Sequence, residues 1–102
     1  MGMEVAAHHL QYLLYRHSLR KWWVYTLETD SVLRVLPTYA KHVLYRLIME
    51  RDYRLLDDLR DLTPGDFVGL RGCGKVTRAQ LCGVLDQIRE REHALDMLVN
   101  VE

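Results

Sequence analysis

Leu70-Arg71-Gly72-Cys73-Gly74-Lys75-Val76-Thr77-Arg78-Ala79-Gln80-Leu81 is the stretch on which the reading of this chain turns. Two glycines flank one small apolar residue, and residues at helical spacing follow at once. Glycine adopts backbone angles that side chains resist, so the pair predicts a tight turn. Cys73, between the glycines, is expected to plug the turn into the core. The first N–H groups of the following helix have no helical acceptor. With the helix dipole they favour an anion such as a backbone phosphate. Arg71, Lys75 and Arg78 add three positive charges here, and residues 70–81 contain no acid.

Just upstream, Thr63-Pro64-Gly65-Asp66 carries start signals for a helix. Thr stands at the cap, Pro in the first helical position and an acid two residues later. A short helix through Phe67, Val68 and Leu70 is expected to follow. Downstream, a final helix from about Lys75 into the nineties has Leu81, Val84, Leu85 and Ile88 as its buried face. Helix, glycine turn and helix form a helix-hairpin-helix pattern, a device that holds DNA phosphates without reading sequence. On the plainer reading the glycines only end one helix and begin the next.

Toward the N-terminus, Pro37 divides the chain. Ala40, Val43, Leu44, Leu47 and Ile48 predict a helix from Thr38 to about Met49, and Tyr53, Leu55, Leu56 and Leu59 a short helix or turn. Thr29-Asp30-Ser31 reads as a cap before Val32, Leu33, Val35 and Leu36. A helix from about Glu4 to Lys21 carries Ala6, Leu10, Leu13, Leu14 and His17 on one stripe. Tyr12, Tyr15 and Leu19 make a second apolar flank. A helix greasy on two sides is normally covered, by its own core or by a partner. Trp22-Trp23-Val24-Tyr25-Thr26-Leu27 fits either a short strand or the end of this helix. Residues 1–36 are therefore expected to form an N-terminal helical extension, and residues 37–102 a compact helical module. The fold class is all-α, with five or six short helices.

The 102 residues are 49% hydrophobic and 27% charged, which suits one globular domain. Fourteen Lys and Arg balance fourteen Asp and Glu, so a polybasic DNA-coating protein is excluded but a local basic patch is not. Cys73 and Cys82 are too few for a disulfide framework, and with His8, His9, His17, His42 and His93 they show no zinc spacing. No metal and no cofactor is expected. Asp57, Asp58 and Asp61 read as a solvated short helix, and Arg89-Glu90-Arg91-Glu92 as a solvated helix end. No nucleophile elbow, phosphate-binding loop or paired acid and base is present, so no enzyme is expected. There is no long apolar run, and Met1-Gly2-Met3-Glu4 lacks the marks of a secretory leader, so a cytoplasmic protein away from membranes is expected.

Asp58-Leu59, the capped segment Thr63 to Leu70, and Gly74-Lys75-Val76-Thr77 together resemble the C-terminal domain of the bacterial RNA polymerase alpha subunit. The resemblance spans about residues 40–90, with no gap from Asp58 to Gly74. It implies a compact helical fold, contact with DNA or the transcription machinery, and a stand-alone relative of that domain. The family's minor-groove arginine and following asparagine correspond to Val43 and Arg46 without a gap. With four extra residues in the turn they correspond to Tyr39 and His42. The expected function is a non-enzymatic DNA-binding or transcription-regulatory module. Its site would be Gly72, Gly74, Lys75, Thr77 and Arg78, with Arg71 and Arg46 on the flank. The competing expectation is a protein-interaction module on the same scaffold, with Trp22 and Trp23 at a dimer or partner surface.

Overall fold

A computed structural model describes the backbone of residues 2–99 and the side chains of residues 9–98. Three α-helices are joined by three short 3₁₀ segments, and no strand occurs among the described residues. The helices are α1 (Gly2–Thr29), α2 (Thr38–Glu50) and α3 (Lys75–Val99); the 3₁₀ segments are Leu33–Val35, Leu56–Asp61 and Pro64–Phe67. The all-α expectation holds, but two of the helices are long rather than short. Ala6 and His8 lie outside the residues whose side chains are described.

Helix α1 runs straight through the ambiguous Trp22–Leu27 stretch. Leu19, Trp23 and Leu27 recur on one face and are buried in the core. Trp23 is fully buried, and its indole N–H donates to the Tyr53 carbonyl at 2.8 Å. Burying that ring outweighs the weak helix preference of the aromatic and β-branched residues around it. Trp23 is therefore a core residue and not part of a partner surface. Trp22 meets it edge-on at 4.8 Å and stays 42% exposed. The helix stops at Asp30, whose carboxylate accepts the N–H groups of Val32 at 3.0 Å and Leu33 at 3.1 Å. Arg91 of α3 bonds the same carboxylate at 3.0 Å, so the stop signal also ties α1 to α3.

Pro37 precedes α2, where a fixed φ and a missing N–H cost nothing. Ala40, Val43, Leu44, Leu47 and Ile48 of α2 are buried, and Leu81, Val84, Leu85 and Ile88 of α3 face them. Leu33, Leu59 and Phe67 from the 3₁₀ segments, with Leu62 between the second and third, complete the core. This one core takes side chains from both sides of Pro37. What stands outside it is the first half of α1, where Leu10, Leu13 and Leu14 are exposed, and the end of α3, where Leu95, Met97 and Leu98 are exposed. The radius of gyration is 16.4 Å, against about 13 Å for a compact chain of 100 residues. The overhanging helix ends account for the difference. No described helix is long and apolar enough to cross a membrane.

Candidate nucleic-acid interface

The site is built on the approach to α3. Asp66 reaches back to accept the Thr63 N–H at 2.6 Å and the Thr63 hydroxyl at 3.1 Å, which starts the Pro64–Phe67 segment as its sequence predicts. These bonds, the Thr63 N–H foremost and the Arg51 guanidinium next, hold the Asp66 carboxyl below the usual carboxylate range. The expected short helix through Leu70 does not continue. Val68 has extended backbone angles (φ −72°, ψ 130°), and Gly69 follows at φ +80°. That pair of conformations is a type II turn, and it ends the segment after one turn. A second turn, Leu70 to Cys73, is closed by the Cys73 N–H on the Leu70 carbonyl at 3.1 Å, with Gly72 at φ +81°.

The two glycines of the Gly-Cys-Gly run have different jobs. Gly72 needs its positive φ, and a Cβ there would sit 2.6 Å from the Tyr39 hydroxyl. Gly74 has neither constraint. Its carbonyl accepts the Arg78 N–H at 3.0 Å, the first bond of α3. The expectation that both glycines supply unusual angles is thus corrected: Gly69 and Gly72 do, and Gly74 caps the helix. Cys73 is half-buried against the core between them, and Cys82 is half-buried one helix face away. Burial, and after it the Asp86 carboxylate, push the Cys82 thiol up.

Helix α2 holds the turn in place. The Tyr39 hydroxyl donates to the Gly72 carbonyl, and the Arg46 guanidinium donates to the Arg71 carbonyl at 2.8 Å. Tyr39 and Arg46 are seven residues apart, two helical turns on one face. The sequence reading placed Arg46 on the flank of the site but missed this clamp. The spacing of Tyr39, Val43 and Arg46 shows a shared helix face, but the partners of Tyr39 and Arg46 on the turn lie 33 and 25 residues away. Between α2 and the turn lies an open cleft of about 600 Å³, lined by Tyr39, His42, Val43, Tyr45, Arg46 and Arg71 with Gly72.

The charges are sorted. Of the fourteen Lys and Arg, seven make ion pairs: Arg16, Lys41, Arg51, Arg54, Arg60, Arg89 and Arg91. Among the described residues the other seven have no acidic partner, and four of these, Arg46, Arg71, Lys75 and Arg78, stand around the turn and the first turn of α3. Arg46 spends one N–H on a neutral carbonyl and makes no ion pair among the described residues. Asp57, Asp58 and Asp61 lie elsewhere, with Arg60, Arg89 and His93. Glu50 lines a groove of about 190 Å³ together with Arg46 and Arg71.

Since Arg78 makes the first helical bond, the N–H groups of Lys75, Val76 and Thr77 have no acceptor in the helix. Lys75 and Val76 are exposed, while Thr77 and Arg78 are half-exposed. The predicted residues Arg71, Gly72, Gly74, Lys75, Thr77 and Arg78 therefore lie together on consecutive turns, and α2 brings Arg46 to them. Trp22 lies apart, on α1. Among the described residues no three His, Cys, Asp or Glu are grouped to hold a metal ion. No protein-family model, no curated protein and no solved structure matches this chain.

Proposed function

We propose that the chain is a non-enzymatic DNA-binding module that takes hold of backbone phosphates at the start of α3. The observation that carries this is the charge sorting. In a chain of zero net charge, four cations that make no ion pair among the described residues meet at one turn, beside three backbone N–H groups that have no helical acceptor. Lys75, Thr77 and Arg78 make side-chain contacts, the backbone from Gly72 to Lys75 meets one phosphate, and Arg71 and Arg46 take the flanking phosphates. The turn and α3 take the part of the hairpin and second helix of a helix-hairpin-helix, with the single 3₁₀ turn Pro64–Phe67 where the first helix would stand, and the resemblance of residues 40–90 to the polymerase alpha C-terminal domain supports a role in transcription. Contacts of this kind position a protein on DNA without specifying a sequence.

The test is fluorescence anisotropy with a labelled A·T-rich duplex from about 50 to 200 mM salt. Four phosphate contacts give a logarithmic salt slope of about −3.6, so affinity is expected to fall about a hundredfold across that range. Lys75→Ala and Arg78→Ala should each flatten the slope by about one. A slope that is unchanged in both variants, or no binding at the lowest salt, overturns the proposal.

One observation favours a second reading. Leu10, Leu13, Leu14, Val24 and Tyr25 are exposed on α1, with Trp22 beside them. On that reading the exposed side of α1 meets a protein partner or a second copy. Sedimentation of the chain alone separates the second copy from the rest.

A further inference from the structure

We infer that the cleft between α2 and the turn holds an unstacked nucleobase, so that the site prefers single-stranded nucleic acid to duplex. The inference rests on the phosphate-binding reading of the α3 start and names the form of nucleic acid that this site takes.

The cleft is the right kind of space. Its volume of about 600 Å³ lies within the range of small-molecule sites. Tyr39 and Tyr45 supply aromatic surface over a floor that reaches buried Val43, and the rim carries Arg46, Arg71 and His42. A flat, polarisable base on an anionic backbone matches that pairing of aromatic faces with cations that make no ion pair among the described residues. Tyr39 is 56% exposed, so its ring is open to a ligand, and its hydroxyl is fixed on the Gly72 carbonyl. The ring is thus held beside the turn before anything binds. Tyr45 lines the same space and is half-buried. Arg46 is held on the Arg71 carbonyl, which places its remaining N–H groups at the cleft edge.

The location matters as much as the lining. Gly72 belongs to both the cleft and the turn, and Lys75 opens α3 three residues later. A phosphate on the first N–H groups of α3 puts the neighbouring nucleotide at the mouth of the cleft. In a duplex that base is stacked on both faces and would have to leave the helix, at a cost comparable to what the rings return. In a single strand the base is free and the stacking is gained outright. One stacked base corresponds to about a five- to hundredfold gain in affinity.

The test uses the full chain and three labelled 12-mers in the same salt: a mixed-sequence single strand, its duplex, and a strand of the same length with abasic sugars throughout. The expected result is binding of the base-bearing strand about tenfold tighter than either of the others. Running the strand as DNA and as RNA decides which sugar the site accepts. Tyr45→Leu, which keeps an apolar side chain but removes the ring, should bring the ratio of base-bearing to abasic affinity to about one. If Tyr45→Leu disrupts the fold, abasic binding falls as well, and Tyr39→Leu is read in its place. Equal binding of base-bearing and abasic strands, or duplex tighter than single strand, overturns this inference while leaving phosphate binding in place. No binding of any of the three overturns both.

Discussion

Around the Leu56–Asp61 and Pro64–Phe67 segments, here the paired edge, the arginines meet carboxylates: Arg51 meets Asp66, Arg60 meets Asp57 and Asp96, and Arg89 meets Asp86. Along the turn edge Arg71, Lys75 and Arg78 meet none among the described residues, and Arg46 meets only a carbonyl. The same residue types therefore do two kinds of work. On the first edge the charges close on each other and fasten loops. On the second they are left available to an outside anion. Net charge does not distinguish the two edges, because the arrangement of pairs is a property of the fold.

The largest expected effect is on the turn that keeps the second edge in place. Gly72→Ala forces an L-residue to φ +81° and sets its Cβ against the Tyr39 hydroxyl. A loss of about 2–3 kcal/mol in urea unfolding is expected. Gly69→Ala meets the same φ problem in open space, and about 1 kcal/mol is expected there. In a Tyr39→Phe background the crowding oxygen is gone, so the cost of Gly72→Ala should fall to that of Gly69→Ala. The double-mutant cycle measures the difference. Equal costs for both glycines in the parent chain would mean that Tyr39 does not crowd the turn.

Next come the cations of the turn edge. Lys75→Ala and Arg78→Ala are each expected to weaken nucleic-acid binding about tenfold near 100 mM salt. Neither has a carboxylate to lose among the described residues, so the urea midpoint should stay within about 0.5 kcal/mol of the parent. A variant that lost stability and kept binding would reverse the comparison of the two edges.

Asp66→Ala probes the opposite edge. It removes the acceptor of the Thr63 N–H and the partner of Arg51, and about 1 kcal/mol is expected at neutral pH. Because folding lowers the Asp66 pKa, its contribution is complete above the unfolded carboxylate value near 4 and is lost as pH falls through the folded value. Parent and Asp66→Ala stabilities should therefore converge as pH drops below about 4. Nucleic-acid binding at neutral pH should be unaffected, which sets this edge apart from the other.

How much of this could be read in advance depends on how local each feature is. The buried stripes of α2 and α3 repeat every three or four residues, and the sequence places them correctly. The Asp30 cap on Val32 and Leu33 and the Thr63–Asp66 start are contacts across two or three residues, and both were legible, whereas the stop of α1 at that same Asp30 was not. The path of α1 through Trp22–Leu27 was not, because Trp23 is held by Tyr53, thirty positions away. At the site, the basic residues 71, 75 and 78 were legible as a cluster. The separate roles of Gly72 and Gly74 were not, since a Gly-x-Gly pattern does not carry a φ angle. The clamps from Tyr39 and Arg46 cross gaps of 33 and 25 residues. Which arginines are paired depends on partners as distant as Asp30 and Arg91.

The smallest expected effect also tests how the paired edge works. Arg60 lies 3.3 Å from Asp96, which is 59% exposed near the overhanging end of α3. Holding two flexible side chains in one geometry costs entropy, and water and salt screen what attraction remains. Arg60 also keeps Asp57, on its own 3₁₀ segment, when Asp96 is gone. Asp96→Ala is therefore expected to leave the urea midpoint indistinguishable from the parent, at both low and high salt. Asp66 differs because its carboxylate also closes a backbone N–H, and that bond survives in high salt. If Asp96→Ala proved as costly as Asp66→Ala, and salt removed its effect, the paired edge would be held by charge itself. The expected outcome assigns its strength to the hydrogen bonds that carboxylates make with the backbone, and leaves the ion pairs mainly the task of keeping those arginines from outside anions.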